Sequence, residues 1–178
     1  VTALGEYGGA LRGLILGFKD RGRYRLARPL GALLAEAVRA AEPTRKPVLL
    51  LYVPDTAAAA RERYGDHMRR LTTLAAARLR ESGRPALASQ ALTATAAVAD
   101  SAGLTKSQRA QFAPQRFAAR RIGINRLRGL AAQATVLLVD DVVTTGSTLA
   151  AAAQVLDRSG IAVAGCAVLA ATKRRLPV

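Results

Sequence analysis

The sequence predicts an α/β protein, a parallel sheet flanked by helices, and three observations carry that prediction. Short apolar runs that suit buried strands alternate with segments whose apolar residues recur at helical spacing. Val48 to Val53, V-L-L-L-Y-V, is apolar throughout and bounded by Pro47 and Pro54, the pattern of a strand covered on both faces. Val136 to Val139 is a second such run, and it leads directly into Asp140 and Asp141 and then into Thr144 to Thr148, T-T-G-S-T. A length of 178 residues suits one domain, 1–178, with one buried core.

The elements follow in order. Leu26, Leu30, Leu33, Leu34, Ala37, Val38 and Ala41 fall on one helical face, and Pro43 stops that helix. After the strand at Val48 to Val53, Met68, Leu71, Ala75 and Leu79 restore the helical period, which Gly83 and Pro85 end. Gln90 to Ala96 alternates Thr and Ala and suits a further strand. Ala99 to Ala113 has no clean period and reads as a polar loop containing a short helical turn, while the basic stretch Arg116 to Gln133 resists assignment. Val136 to Val139 is a strand ending at Asp140. A helix follows from about Ser147, with Leu149, Ala152, Ala153 and Leu156 on one face, and Gly160 caps it. Ile161 to Ala170 is the last strand. No internal repeat or low-complexity linker interrupts the series.

Composition excludes several classes. Hydrophobic residues make up 51% and charged residues 22% of the chain, a globular balance far from that of disordered segments. No apolar run reaches the ~18 residues needed to cross a bilayer, and no basic segment leads into an apolar signal region. The expected location is the cytoplasm. The single cysteine, Cys166, forms no internal disulfide and no multi-cysteine zinc site; within its apolar run it reads as a small buried hydrophobe. The net charge of +15 favours polyanionic partners, nucleic acid and phosphorylated metabolites among them, although high-GC coding, which swaps Arg for Lys, and solubility explain the same number. The seven Tyr and Phe residues are scattered and form no base-stacking stripe.

The chemistry concentrates after the strand at Val136. Parallel sheets bind ligands beyond the carboxyl ends of their strands. Thr144, Thr145, Gly146, Ser147 and Thr148 put hydroxyls and one glycine at a helix N-terminus, where backbone N–H groups and the helix dipole favour an anion. No P-loop lysine follows, so a phosphate monoester fits better than a triphosphate. Asp140 and Asp141 can accept hydrogen bonds from vicinal sugar hydroxyls. A ribose 5-phosphate satisfies both halves; the alternative, a simple helix cap after a strand, explains single residues but not the whole arrangement.

V-L-L-V-D-D-V-V-T-T-G-S-T, Val136 to Thr148, resembles the signature of the type I phosphoribosyltransferases. The wider chain is similar to the ComF family within that group, on Y-G-G-A-L-R-G-L-I-L-G-F-K-D-R-G (Tyr7 to Gly22), the pair Val53-Pro54 with R-E-R-Y-G-D-H (Arg61 to His67), and A-G-L-T-K-S-Q-R (Ala102 to Arg109). The resemblance implies a Rossmann-like parallel sheet with a small N-terminal hood, residues 1–45 with the first helix, on a core of residues 46–178. It implies that Asp140 and Asp141 hold the ribose hydroxyls as the catalytic pair, and that Val142, Val143 and Thr144 to Thr148 hold the 5-phosphate. Arg61, Arg63 and Gly65 correspond to the loop that meets pyrophosphate, and Lys106 and Arg109 to the segment that covers the substrate; each arginine reads equally as an exposed charge. Magnesium is expected on the substrate's own oxygens, with no metal held by protein ligands alone. Many relatives in that family carry an N-terminal four-cysteine zinc module absent from this sequence. They also show R-G-F-N where this chain reads R-Y-G-D-H, and an Asn after the position of Arg109, where it reads A-Q-F-A.

Two further residues stay open. His67, the only histidine, reads as a surface or capping residue with no catalytic role. Lys19 is either part of the L-G-F-K-D-R-G motif or a lysine snorkelling beside Phe18. The functional expectations are a transferase that moves a phosphoribosyl group from its diphosphate to an unidentified nucleophile, a non-catalytic accessory of DNA uptake that binds single strands, and a nucleotide-sensing regulator.

Overall fold

A computed structural model describes residues 1–62, 65–95 and 116–172. Five parallel strands form one sheet: β1 (Thr2–Glu6), β2 (Val48–Tyr52), β3 (Ala86–Ser89), β6 (Thr135–Val143) and β7 (Gly165–Ala171), in the order β1-β7-β6-β2-β3. The short strands β4 (Leu92–Ala94) and β5 (Phe117–Ala119) pair antiparallel beside it. The helices are α1 (Gly9–Lys19), α2 (Ala27–Ala41), α3 (Ala57–Glu62), α4 (His67–Glu81), α5 (Ile124–Ala131) and α6 (Ser147–Arg158), and a 3₁₀ turn at Tyr24–Leu26 precedes α2.

β2 throughout and β6 from Val136 to Val139 are apolar because both of their faces are covered. Leu50, Leu137, Val139 and Leu169 pack with Phe18, Leu30, Leu34, Leu71 and Leu79 from α1, α2 and α4. Leu49, Leu51, Val136, Leu138 and Val168 turn the other way, against Leu127, Leu149 and Leu156 of α5 and α6 and Phe117 of β5. The result is a layer of helices on each side of the predicted parallel sheet. No described helix is long and apolar enough to cross a membrane.

The amino-terminal edge of the sheet is pinned by a buried ion pair. Arg84, 4% exposed, bonds Glu42 through its guanidinium, and also donates to the Lys46 carbonyl at 2.9 Å and the Glu42 carbonyl at 2.9 Å. It thereby ties the end of α2 to the turn that enters β3.

Several expectations need correction. β1 is an edge strand of the main sheet, where no strand was expected, registered on β7 from Thr2↔Ala167 to Glu6↔Ala171, and α2 contributes Leu30 and Leu34 to the core. The strand at Val136 does not stop at Asp140 but runs to Val143, since its ladder with β7 continues through Asp140↔Val168 to Val143↔Ala171. The last strand begins at Gly165 instead of Ile161, because the Ile161 N–H closes the exit of α6 on the Leu156 carbonyl at 2.9 Å. Arg116 to Gln133 holds β5 and α5, and β1 and β3 lie where no strand was expected. Cys166 is half-buried rather than fully buried, with its thiol pushed up by burial. The segment read as a polar loop, Ala99 to Ala113, lies outside the described residues.

Candidate functional site

The chain leaves β2 toward β3 on one side and β6 toward β7 on the other, so the order of strands reverses between β6 and β2. That reversal opens a crevice at the carboxyl ends of the two strands, where open α/β sheets take their ligands. Parallel pairing of Tyr52 with Val139 sets Asp55, just past β2, beside Asp140 and Asp141 in β6.

The turn after β6 faces solvent. Thr144, Thr145 and Ser147 are exposed, Thr148 is half-buried, and Val142 and Val143 beneath them are half-buried among the core side chains. Gly146 adopts φ +81°, a left-handed conformation that admits glycine at little cost, and it caps α6. Thr145 folds back on the turn: its hydroxyl donates to Ser147 Oγ at 3.0 Å and accepts the Ser147 N–H at 3.3 Å. The hydroxyls expected at a helix N-terminus are thus gathered there, with the first turn of a 12-residue helix behind them.

The two carboxylates differ. Successive residues of a strand face opposite ways. Asp141 turns toward α1 and α4 and is 5% exposed. Its Oδ2 accepts Lys19 Nζ at 2.7 Å and faces His67 Nε2 at 3.0 Å, and its Oδ1 accepts the Val142 N–H at 2.7 Å. Burial raises this carboxyl, but the His67 hydrogen bond and the Lys19 charge outweigh it and hold it well below the usual carboxylate range. Asp140 is half-buried, and its Oδ1 accepts the Asp141 N–H at 2.9 Å. Burial, with the Asp141 charge beside it, pushes the Asp140 carboxyl upward to about 7. Of the expected pair, Asp140 is therefore the carboxyl whose protonation is poised, and Asp141 is committed to two cationic side chains.

His67 and Lys19 were legible as residues but not as partners. Instead of lying at the surface, His67 is buried as the first residue of α4, and the cap is Asp66, whose Oδ1 accepts the Arg69 N–H at 3.0 Å. The imidazole Nδ1 lies 2.5 Å from Asp55 Oδ2. Hydrogen bonds to Asp141 and Asp55 overcome the opposing effect of burial and raise the ring to about 9. Lys19 reaches the site from the end of α1 with its side chain 28% exposed, so its ammonium pairs with Asp141 instead of merely snorkelling. Asp55 was missed altogether, although a carboxylate directly after a wholly apolar strand is the signal that Asp140 also gave.

The segment between β2 and α4 closes on itself. Asp55 N–H donates to Asp66 Oδ2 and His67 N–H to Asp55 Oδ2, each at 3.2 Å. Gly65, expected to meet a diphosphate, donates its N–H to the Ala60 carbonyl at 2.7 Å, and Arg61 is exposed on α3. Arg63, Lys106 and Arg109 lie outside the described residues. Asp55, Asp66 and His67 bring potential metal donors within 4.8 Å of one another, but those donors are already engaged with each other and with the α4 cap.

No curated protein matches the chain. The profile of the phosphoribosyl transferase domain family matches residues 84–177, just over half of the sequence and a span that contains β6, the solvent-facing turn and α6. The chain belongs to the phosphoribosyl transferase domain family.

Proposed function

We propose that this protein binds 5-phosphoribosyl 1-diphosphate, or a ligand containing ribose 5-phosphate, across the carboxyl ends of β6 and β2 and transfers the phosphoribosyl group to a nucleophile. One observation carries the reading: the exposed Thr144 to Thr148 turn opens α6 immediately beyond Asp140, at the reversal of strand order. The 5-phosphate rests on the N–H groups of the first turn of α6 and on the hydroxyls of Thr144, Thr145 and Ser147. The ribose hydroxyls lie toward Asp140, and the diphosphate toward the segment from Asp55 to Gly65, with Arg61, Arg63, Lys106 and Arg109 as its assigned contacts.

In the reaction the anomeric C–O bond to diphosphate breaks and a bond to the incoming nucleophile forms, while the nucleophile's proton passes to the departing diphosphate or to solvent. Positive charge grows on the ring and negative charge on the leaving group. Asp140, held near neutrality in the free site, becomes the favoured carboxylate as that cation develops. A magnesium ion carried by the diphosphate oxygens would supply charge neutralisation to the leaving group. Asp141 orders the site through Lys19 and His67 rather than through the sugar.

A ComF-type accessory role is the second reading, and a groove favours it. Beside the site, Tyr24, Arg28, Arg69, Arg70 and Thr73 line an open groove of about 630 Å³, with the Arg70 guanidinium 5.1 Å above the Tyr24 ring. A basic groove with an aromatic face suits single-stranded DNA. The test is thermal stability against the diphosphate donor, ribose 5-phosphate and nucleoside monophosphates, with and without magnesium. A rise in Tm with the donor, and diphosphate release on adding acceptors, supports transfer. Salt-sensitive binding of single strands without diphosphate release supports the accessory role, and no stabilisation by any of the sugar phosphates overturns the site.

A further inference from the structure

Both ring nitrogens of His67 face carboxylate oxygens, Nδ1 at 2.5 Å from Asp55 Oδ2 and Nε2 at 3.0 Å from Asp141 Oδ2. An ionised carboxylate only accepts, so each nitrogen must carry a proton for both contacts to be hydrogen bonds. A neutral ring would need one carboxyl to donate. Each of the two oxygens already accepts from another donor, however: Asp55 Oδ2 from the His67 N–H and Asp141 Oδ2 from Lys19 Nζ. The ring is also shielded, with its side chain 7% exposed and the Phe18 ring set edge-on with centroids 6.4 Å apart. A cation here is balanced by its surroundings. Asp55 and Asp141 contact it, Asp66 and Asp140 stand nearby, and Lys19 shares Asp141.

The two carboxylates belong to different parts of the crevice. Asp55 opens the segment after β2, and Asp141 lies in β6, 74 residues from His67 in sequence. We propose that His67 is a positioning residue, an imidazolium clamp that fixes Asp55, just past β2, against Asp141 of β6, and so sets the spacing between the diphosphate and 5-phosphate halves of the site. This rests on the ribose phosphate reading given above. A ligand that occupies both halves gains from a spacing set in advance, whereas a ligand confined to the α6 turn does not.

Because the sequence holds one histidine, its ring gives one unambiguous pair of nitrogen resonances. In ligand-free protein labelled with ¹⁵N-histidine, both nitrogens are expected in the protonated range at pH 7.5, where an ordinary histidine is neutral. A neutral tautomer at that pH overturns the clamp. The second measurement compares ligands by calorimetry. His67→Gln is expected to leave ribose 5-phosphate affinity within about twofold and to weaken the magnesium–diphosphate donor by about tenfold or more, the ~1.4 kcal/mol of one decade. Equal losses for the two ligands overturn the proposal. Should His67→Gln not fold, Asp55→Ala removes the acceptor of the Nδ1 contact and carries the same expectation. If the native protein binds neither ligand, the ribose phosphate reading fails, and the resonances still decide whether the ring is a clamped cation.

Discussion

Gly31 of α2 meets Leu74 of α4 so closely that a Cβ built on the glycine would lie 2.6 Å from the leucine Cβ. The obstacle is the root of a side chain, not its flexible tip, so the helices must part to admit a methyl group. Gly31→Ala is expected to destabilise the fold by about 1–3 kcal/mol through overpacking, more than the roughly 1 kcal/mol of helix propensity it gains. Gly13→Ala, at an exposed position of α1 with nothing within 4 Å, should instead stabilise by up to about 1 kcal/mol. Urea midpoints that move in opposite directions for the two variants check both statements.

Arg84 and Glu42 sit at the sheet end remote from the crevice, and removing either leaves the other buried without its charge partner. Arg84→Ala should cost about 3–5 kcal/mol of stability. The folded variant should retain ligand affinity within about twofold, since one decade alone corresponds to ~1.4 kcal/mol. Denaturant unfolding and calorimetry read the two quantities separately.

The turn before α6 makes a different prediction, in which affinity moves more than stability. Thr145→Val removes a hydroxyl expected at the 5-phosphate, and a hydrogen bond to a charged group is worth roughly 1.5–3 kcal/mol. Ribose 5-phosphate should bind about tenfold to a hundredfold more weakly. Gly146→Ala should cost about 1–2 kcal/mol of stability, because its φ of +81° is unfavourable for a residue with a Cβ. An unchanged ribose 5-phosphate affinity in Thr145→Val counts against the assignment of the turn.

Stability should fall with pH in two steps. Asp140 is raised from 3.8 to about 7 in the fold, so the folded state holds the extra proton and stability declines as pH rises from about 3.8 to about 7. His67 is raised from 6.5 to about 9, so its contribution is full below 6.5 and is lost as pH rises through about 9. Asp141 acts in the opposite sense at the acid end: its contribution is full above 3.8 and disappears as pH falls below that value. Asp140→Asn should remove the lower step and His67→Gln the upper one, each measured as Tm against pH.

The parts of this architecture legible in sequence are those whose pattern is local. Val48 to Val53 and Val136 to Val139 declare buried strands because every side chain is apolar, and α2, α4 and α6 declare themselves by one apolar face. The edge strand β1, T-A-L-G-E, carries no such pattern because it is only partly covered, and what holds it is pairing with residues more than 160 positions away. The site divides in the same manner. Asp140 to Thr148 can be read as one contiguous motif. The bonds of Lys19 and His67 to Asp141 span 122 and 74 positions, and a solitary histidine between Asp66 and Met68 gives no hint of which carboxylates will enclose it.

The register of Thr2 on Ala167 also governs how the chain can assemble during synthesis. β1 leaves the ribosome ahead of the other described strands, yet its only ladder partner among them is β7, the last of them in chain order. Until β7 has left the exit tunnel, β1 lacks the strand it pairs with, and the loop to be closed runs from Thr2 to Ala167. β1 must therefore stay unpaired until β7 emerges, and closure of the sheet along this edge follows that emergence.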